Sequence, residues 1–329
     1  MIKAFKGKII LVTGGAGSIG SELVEQLLQY KPKQIRVLSR DESKQYELLE
    51  KLSHPKNLRL FIGDVRDKER LDLAFKNVDI VIHAAALKHV PFCEYNPFET
   101  IKTNIVGSQN VIEAALKNKV KKVIAISTDK AANPNNVMGV SKLMMEKLFV
   151  NANYYGSAGT IFSCVRFGNV AWARGSVLPF WQKQAERFSK INVTNSEMTR
   201  FLMSKKEACN LILKAIELAR GKEIFVLKMP AIKLGDLANL FIKKYFFNKN
   251  IKIKNVGSRA GEKMHEELLN ASEDLKILSN HRMFIILPKV KIYGLEEKKI
   301  KNYPGFKEVK VCTYSSNLYL DNKKINEII

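Results

Sequence analysis

This chain has little to offer metal-binding or disulfide chemistry. Its four cysteines, Cys93, Cys164, Cys209 and Cys312, form no C-x-x-C pair, and its five histidines, His54, His83, His89, His265 and His281, fall at no metal-ligand spacing. No metal site and no disulfide framework is expected, and reduced thiols in a cytoplasm fit better. No apolar run approaches the ~20 residues that a membrane helix needs. The opening MIKAFKGKIILVTGG sets basic residues before an apolar run, but that run is short and meets a Gly-rich turn. It reads as a core strand and not as a signal peptide. No internal repeat or low-complexity linker stands out.

Acidic residues are also scarce: 32 Asp and Glu stand against 55 Lys and Arg, a net charge of +23. Such a charge attracts polyanions through its long-range field. Nucleic acid, or a cofactor and substrate carrying phosphates, would answer to it. The lysines are scattered, however, and no aromatic-interleaved basic motif of an RNA module occurs. Most of the excess reads as solvated surface, and nucleic acid is not the expected partner. With 329 residues, 46% of them hydrophobic, the chain is too long for one typical core and suits two lobes.

Along the first half, short apolar runs alternate with amphipathic segments, the pattern of βαβ units. Strands are expected at Lys8–Thr13, Gln34–Ser39, Leu58–Gly63, Asp79–Ala85, Lys121–Ser127 and Thr160–Phe167. Helices are expected at Ser21–Tyr30, Pro97–Lys117 and Asn135–Tyr155. The fold class is α/β: a doubly wound parallel sheet with a smaller C-terminal lobe. The first part covers residues 1–170 and the lobe mainly 171–329, with a helix at Ser204–Arg220, a strand at Glu223–Leu227 able to return to the sheet, and a helix at Leu234–Tyr245. From about Lys289 the sequence mixes short apolar runs with charge and assigns no element.

The first strand runs into Thr13-Gly14-Gly15-Ala16-Gly17-Ser18-Ile19-Gly20. Gly14, Gly17 and Gly20 have the spacing G-x-x-G-x-x-G. One glycine permits the tight turn, the next lets backbone approach a pyrophosphate, and the third lets helix and strand pack closely with the helix N-terminus toward the anion. A Gly triplet alone is weak evidence, but this one links an apolar strand to an amphipathic helix. A Rossmann-type dinucleotide site follows, with Ser18 and Ile19 in its turn. The second strand ends Leu38-Ser39-Arg40-Asp41. Ser39 and Arg40 favour a 2′-phosphate and hence NADP, whereas Asp41 is the competing signal for NAD. Asp64 and Val65 end the third strand, where the Asp can meet the adenine. Ala84 and Ala85 end the fourth, small enough to let the dinucleotide pass.

The fifth strand runs into Ser127-Thr128-Asp129-Lys130-Ala131-Ala132-Asn133-Pro134. Ligands of open α/β sheets bind beyond the carboxyl ends of the strands. An arbitrary Asp-Lys dipeptide would be a solvated ion pair, but at that edge the two groups can shift each other toward useful acid–base values.

Taken with HAAALKHVPFCEYNPFETIKTNIVGSQNV, ISTDKAANPNNVMGVSK, RFGNV, RGSVLP, EMTRF and RAGEKMHE, these segments make the chain recognisable. It resembles the extended short-chain dehydrogenase/reductases, and among them the UDP-N-acetylglucosamine 4,6-dehydratases of surface-polysaccharide and nonulosonic-acid synthesis. The resemblance spans residues from about 8 to 270. Dehydratases for other sugars carry Thr-Asp-Glu where this chain has Thr128-Asp129-Lys130. One departure stands out. The superfamily pattern Tyr-x-x-x-Lys reads here Met138-Gly139-Val140-Ser141-Lys142, and a thioether cannot exchange a proton.

The resemblance implies an internal redox cycle: carbon 4 is oxidised, water is lost across carbons 5 and 6, and the hydride returns to carbon 6. Lys130 would take the carbon 5 proton, Asp129 would protonate the leaving hydroxyl, and Thr128 would relay the carbon 4 proton. Lys142 would hold the nicotinamide ribose. Substrate contacts are implied for Lys88, Asn169, Arg174, Arg259 and Glu262, with Tyr95 held more loosely. The cofactor is NADP, with NAD as the alternative, and the partner is UDP-N-acetylglucosamine or a related UDP-sugar. A homo-oligomer is implied. Larger members of the family carry an N-terminal membrane region that is not seen here, so a soluble chain is expected. Two other readings remain: a UDP-sugar 4-epimerase, and a non-catalytic NADP-binding or RNA-associated protein supported by Met138 and the charge.

Overall fold

The computed structural model describes residues 2–155, 159–271, 275–288, 303–310 and 313–329. The apolar runs of the first half form β1 (Ile9–Thr13), β2 (Gln34–Ser39), β3 (Leu58–Ile62), β4 (Ile80–His83), β5 (Lys122–Ile126) and β6 (Ile161–Arg166). Four later strands join them: β7 (Ile224–Leu227), β8 (Leu275–Ser279), β9 (Met283–Pro288) and β10 (Lys307–Val309). Together they make one sheet in the order β10-β8-β9-β7-β6-β5-β4-β1-β2-β3. The strands from β7 to β3 are parallel, and β9, β8 and β10 extend the edge antiparallel. Ile224–Leu227 thus lies beside β6, and the chain comes back again after residue 275.

Both faces of the central strands are covered, so their side chains are almost wholly buried, as in β1 and β4. The strand order reverses between β1 and β4, and the crevice beyond their carboxyl ends is where ligands of such sheets bind. A second cluster, built on Leu178, Trp181, Ile191, Leu237 and Phe241, forms the core of a smaller lobe. Its helices Val177–Phe188 and Leu234–Tyr245 cover a three-stranded sheet of Asn169–Val170, Thr199–Met203 and Ala231–Lys233. Helix Lys205–Leu218 belongs to the main core, and a capping box between Ser204 and Glu207 opens it. Among the described residues, no helix is long and apolar enough to cross a membrane.

The segment expected as one helix from Pro97 to Lys117 is interrupted by a π-helical stretch, Ile101–Val106. Its Asn104 explains the insertion: the side chain donates to Leu87 O and Ser141 Oγ at 2.9 Å each and accepts from Leu87 N at 2.8 Å. Wider winding brings this amide beneath the loop after β4. Sequence periodicity carries no sign of one extra residue in a turn.

His83, at the end of β4, bonds Thr13 Oγ1 at 2.8 Å and Ser108 Oγ at 3.1 Å. Burial, helped by the Lys142 charge, pushes its pKa down to about 3. An unfolded histidine titrates near ~6.5. Between those values the unfolded chain binds a proton that the folded chain refuses, so stability present above ~6.5 is lost as the pH falls toward 3. Urea unfolding is expected to weaken across that window by up to about 1.4 kcal/mol per pH unit, and His83→Gln to remove that share of the slope.

Candidate active site

The turn after β1 is closed by contacts that only glycine permits. A Cβ on Gly14, whose φ is +67°, would lie 2.8 Å from Ala85 N. One on Gly20 would lie 2.4 Å from Gly14 O. The amphipathic helix Ser18–Leu28 therefore starts directly above the crevice, with its free N–H groups toward it.

A cleft of about 960 Å³ opens here between the sheet edge and the smaller lobe. Its wall includes the turn residues Gly14, Gly17, Ser18, Ile19 and Gly20. Ser39, Arg40, Asp64, Val65, Ala84 and Ala85 follow from the ends of β2, β3 and β4. Thr128, Lys130, Lys142, Lys88, Asn169 and Arg174, all suggested by the sequence, also line it, together with Met138. The buried hydroxyls of Ser127 and Ser176, both on the wall, have no protein partner. A glycine turn that a methyl group would fill, a helix N-terminus and these spare hydroxyls suit a dinucleotide.

At the end of β2, Asp41 caps helix Glu42–Lys51, accepting from Lys44 N at 3.0 Å and pairing with the Lys44 ammonium. The hydrogen bonds from Lys44 hold its carboxyl below the usual range. The acid that competes for a ribose hydroxyl in the sequence is thus engaged by its own helix. Arg40 leans on Asp64 at 3.4 Å, a long contact.

Arg174, on the cleft wall, also reaches the glycine turn. Its backbone N–H donates to Ser18 Oγ at 2.8 Å, its guanidinium donates to Ala16 O at 2.9 Å, and Lys88 Nζ donates to its carbonyl at 2.7 Å. The loop from Trp172 to Ser176 therefore spans the cleft from the smaller lobe to the glycine turn. It sits close against His89: a Cβ on Gly175 would be 2.5 Å from that ring. Arg259 and Glu262 are not on this wall. They close a local turn, with Arg259 N donating to Glu262 Oε2 and Glu262 N to Arg259 O, both at 3.1 Å. Exposed Tyr95 is not on the wall either.

Beyond β5, Thr128 opens a short 3-10 turn, Asp129–Ala131. Its hydroxyl donates to Asp129 Oδ1 at 2.8 Å, and Lys130 Nζ lies 3.0 Å from the same oxygen. Asp129 itself is fully buried and not on the cleft wall; Thr128 and Lys130 are. The sequence places the carboxylate at the substrate, whereas the fold places it one hydroxyl behind. Lys130 has a second partner that the sequence reading misses, Glu266 Oε1 at 3.1 Å, with Arg200 Nε 3.8 Å from that oxygen. Burial alone would lower the Lys130 pKa, but Asp129 and Glu266 reverse this and hold it above the usual lysine value. Glu266 and Arg200 lie within the segments RAGEKMHE and EMTRF, which draw notice in the sequence without giving either residue a part.

Met138 and Lys142 sit one turn apart on helix Val137–Ala152 and share the wall. Lys142 Nζ donates to Ile126 O at 2.8 Å, and burial brings its pKa down to about 8. No group of three or more His, Cys, Asp and Glu able to hold a metal occurs among the described residues.

Comparison with known proteins comes next. Residues 10–288 match the family described as polysaccharide biosynthesis protein. A Methanocaldococcus jannaschii relative, described only as an uncharacterized membrane protein, is 48% identical over 99% of this chain and 96% of its own length. A Campylobacter jejuni relative, named an inverting UDP-N-acetylglucosamine 4,6-dehydratase, is 45% identical over 95% of this chain and 93% of its own. A Rickettsia canadensis relative named UDP-glucose 4-epimerase is 45% identical over 82% of this chain and 80% of its own. The crystal structure of Pen from Bacillus thuringiensis superposes with a TM-score of 0.91 at 42% identity, covering 99% of this chain and 98% of that one.

The glycine contacts carry a stability prediction. Gly20→Ala forces a methyl group against Gly14 O and is expected to cost about 1–3 kcal/mol, as overpacking does. Gly7→Ala, at a φ of +71° but with nothing within 4 Å of the added methyl group, should cost less. Urea titration of the two variants compares them.

Proposed function

The chain belongs to the polysaccharide biosynthesis protein family, and we infer that it is a UDP-N-acetylglucosamine 4,6-dehydratase, producing a 4-keto-6-deoxy sugar nucleotide. The observation that carries this reading is Lys130 on the cleft wall, its ammonium 3.0 Å from Asp129 and linked through that oxygen to Thr128. A 4-epimerase returns the hydride to carbon 4 and needs no elimination pair, so the same three groups argue against the Rickettsia relatives' activity here. They argue equally against a non-catalytic reading of Met138.

When bound, the nicotinamide supplies the hydride acceptor for carbon 4 and the hydride donor for carbon 6. The glycine turn and the N-terminus of helix Ser18–Leu28 would hold its pyrophosphate, and Lys142 its nicotinamide ribose. Arg40, Lys44 and Arg174 surround the end of β2, and with Asp41 engaged as a cap this supports NADP over NAD.

The chain's own groups close a proton ledger. The competent form has Asp129 as carboxylate and Lys130 as neutral amine. The carbon 4 hydroxyl proton passes through Thr128 Oγ1 to Asp129 Oδ1, a route that needs no tyrosine at position 138. Carbon 5 then gives its proton to Lys130 Nζ, while Asp129, again through Thr128, protonates the departing carbon 6 oxygen. The pair is now carboxylate and ammonium. Return of one proton to carbon 5 restores the starting form, and none is gained or lost. Following the Campylobacter relatives, we take carbon 5 to be inverted. The returning proton then arrives from water on the face opposite Lys130, which gives its own proton back to solvent. The cytoplasm is the proposed compartment, in keeping with free, buried Cys93, Cys164 and Cys209. Exposed Phe92, Tyr95, Phe98, Val140 and Met144 suit a homo-oligomer.

Proton NMR of the protein with UDP-N-acetylglucosamine in deuterated water tests the reaction. A new carbon 6 methyl signal beside a hydrated carbon 4 ketone is expected, with the carbon 5 coupling of the inverted sugar. UDP-N-acetylgalactosamine as product would make the chain an epimerase. Lys130→Ala should lower turnover by ~10²–10⁴-fold, the scale of a lost general base.

Arg174 is tested separately. Arg174→Ala is expected to weaken NADPH binding by about tenfold, as loss of a charge-assisted hydrogen bond does, in a fluorescence titration without sugar. An unchanged NADPH affinity with a raised KM for the sugar would return Arg174 to the substrate side.

A further inference from the structure

Two buried carboxylates, Glu146 and Glu223, are saturated, whereas Asp129 has an Oδ2 with no hydrogen-bond partner. Glu146 takes a fork from Arg166, with Nε to Oε1 at 3.0 Å and Nη2 to Oε2 at 2.6 Å. Glu223 accepts from the backbone of Arg220 and Gly221 and from the hydroxyls of Ser163 and Tyr303. Such carboxylates are structural, since every lone pair that burial strips of water finds a donor.

Glu266, the other carboxylate on Lys130, shares this deficit with Asp129. It is 1% exposed, yet its Oε2 has no hydrogen-bond partner, and Oε1 reaches only the Lys130 ammonium at 3.1 Å and Arg200 at 3.8 Å. Arg200 spends its hydrogens elsewhere, on Thr199 O at 2.8 Å and Met264 O at 3.3 Å. It contributes charge to Glu266 without a close bond. The nearby His265 faces away, its Nδ1 on Thr199 Oγ1 at 2.9 Å, and Lys263 is turned to the carbonyls of Ala132 and Asn133. The charged groups around the Lys130 nitrogen are therefore Asp129 on its own turn, Glu266 behind it and Arg200 beyond. Two negative and two positive charges balance when Lys130 is protonated. When Lys130 is neutral, one buried negative charge is left over.

We propose that Glu266 is a positioning residue that sets the pH at which Lys130 becomes a base. Its carboxylate holds the ammonium at the cleft wall and makes removal of that proton harder. Arg200 keeps Glu266 tolerable once the proton has gone. The inference rests on Lys130 being the carbon 5 base, and extends that reading by making the base conditional on a group the substrate never touches.

The wild-type protein gives the first test, and it requires no turnover. Reaction of Lys130 with a small methylating reagent can be followed by peptide mass spectrometry as a function of pH, with exposed Lys6 as internal reference. The Lys130 midpoint is expected above that of Lys6, and a midpoint at or below it overturns the proposal. In Glu266→Gln the midpoint should fall by about one to three pH units, the usual effect of a removed neighbouring charge. Glu266→Asp, which keeps the charge but draws it back, should fall less. The alkaline rise of kcat should move in parallel, with NADPH affinity unchanged. A lower kcat with no shift in either pH profile would make Glu266 merely structural. If the wild type modifies as expected but forms no keto sugar, the dehydratase reading fails while the pairing of Glu266 with Lys130 stands.

Discussion

One ammonium is shared by carboxylates from the two sides of the cleft. Lys130 leaves the end of β5 on the large sheet, while Glu266 and Arg200 come from the smaller lobe's side of the cleft. Burying these charges is costly unless each finds its opposite within a few ångströms, so the Lys130–Glu266 contact completes the set of partners that burial demands. Thr128 sits on the cleft wall beside this cluster, and Asp129 lies buried one hydroxyl behind it. A structural requirement, charge balance at the lobe boundary, thus falls on the atoms from which acid–base chemistry would be drawn.

Much of this could be read in the sequence because it is local. The glycine turn, the apolar runs of β1 to β6 and the Thr128-Asp129-Lys130 triplet are contiguous segments whose spacing states their geometry. What is formed between distant segments was not legible. Glu266 lies 136 positions from Lys130, and nothing in a charged RAGEKMHE segment says which of its two glutamates turns inward. The resemblance offers Arg174 as a sugar contact, and its bond to Ser18, far earlier in the chain, has no sign in the sequence. The π-helical turn around Asn104 escaped for a related reason: its cause is a hydrogen-bond demand from the loop after β4, not an irregularity in its own apolar pattern.

Met138 illustrates how a departure from a pattern acquires meaning only in three dimensions. Seen in the sequence it removes the expected proton acceptor. On the cleft wall it stands one helical turn from Lys142, while the proton-exchanging groups are gathered at the end of β5. A thioether there fills space and leaves the local charge to Lys142, whose burial already weakens its hold on its proton. The net charge of +23 has the opposite character. It is dispersed over the surface, and the few cations that line the cleft are a small part of it.

The loop carrying Arg174 has a consequence beyond affinity. It is pinned at Arg174, whose N–H donates to Ser18 and whose carbonyl accepts from Lys88, so it lies against the glycine turn on the cleft wall. A coenzyme in the cleft would lie against this loop as well as the glycine turn. Because the reaction returns every hydride it borrows, no exchange with the surrounding pool is needed. Such a protein would be indifferent to the ratio of oxidised to reduced nicotinamide in the cell, and its output would follow sugar-nucleotide supply alone.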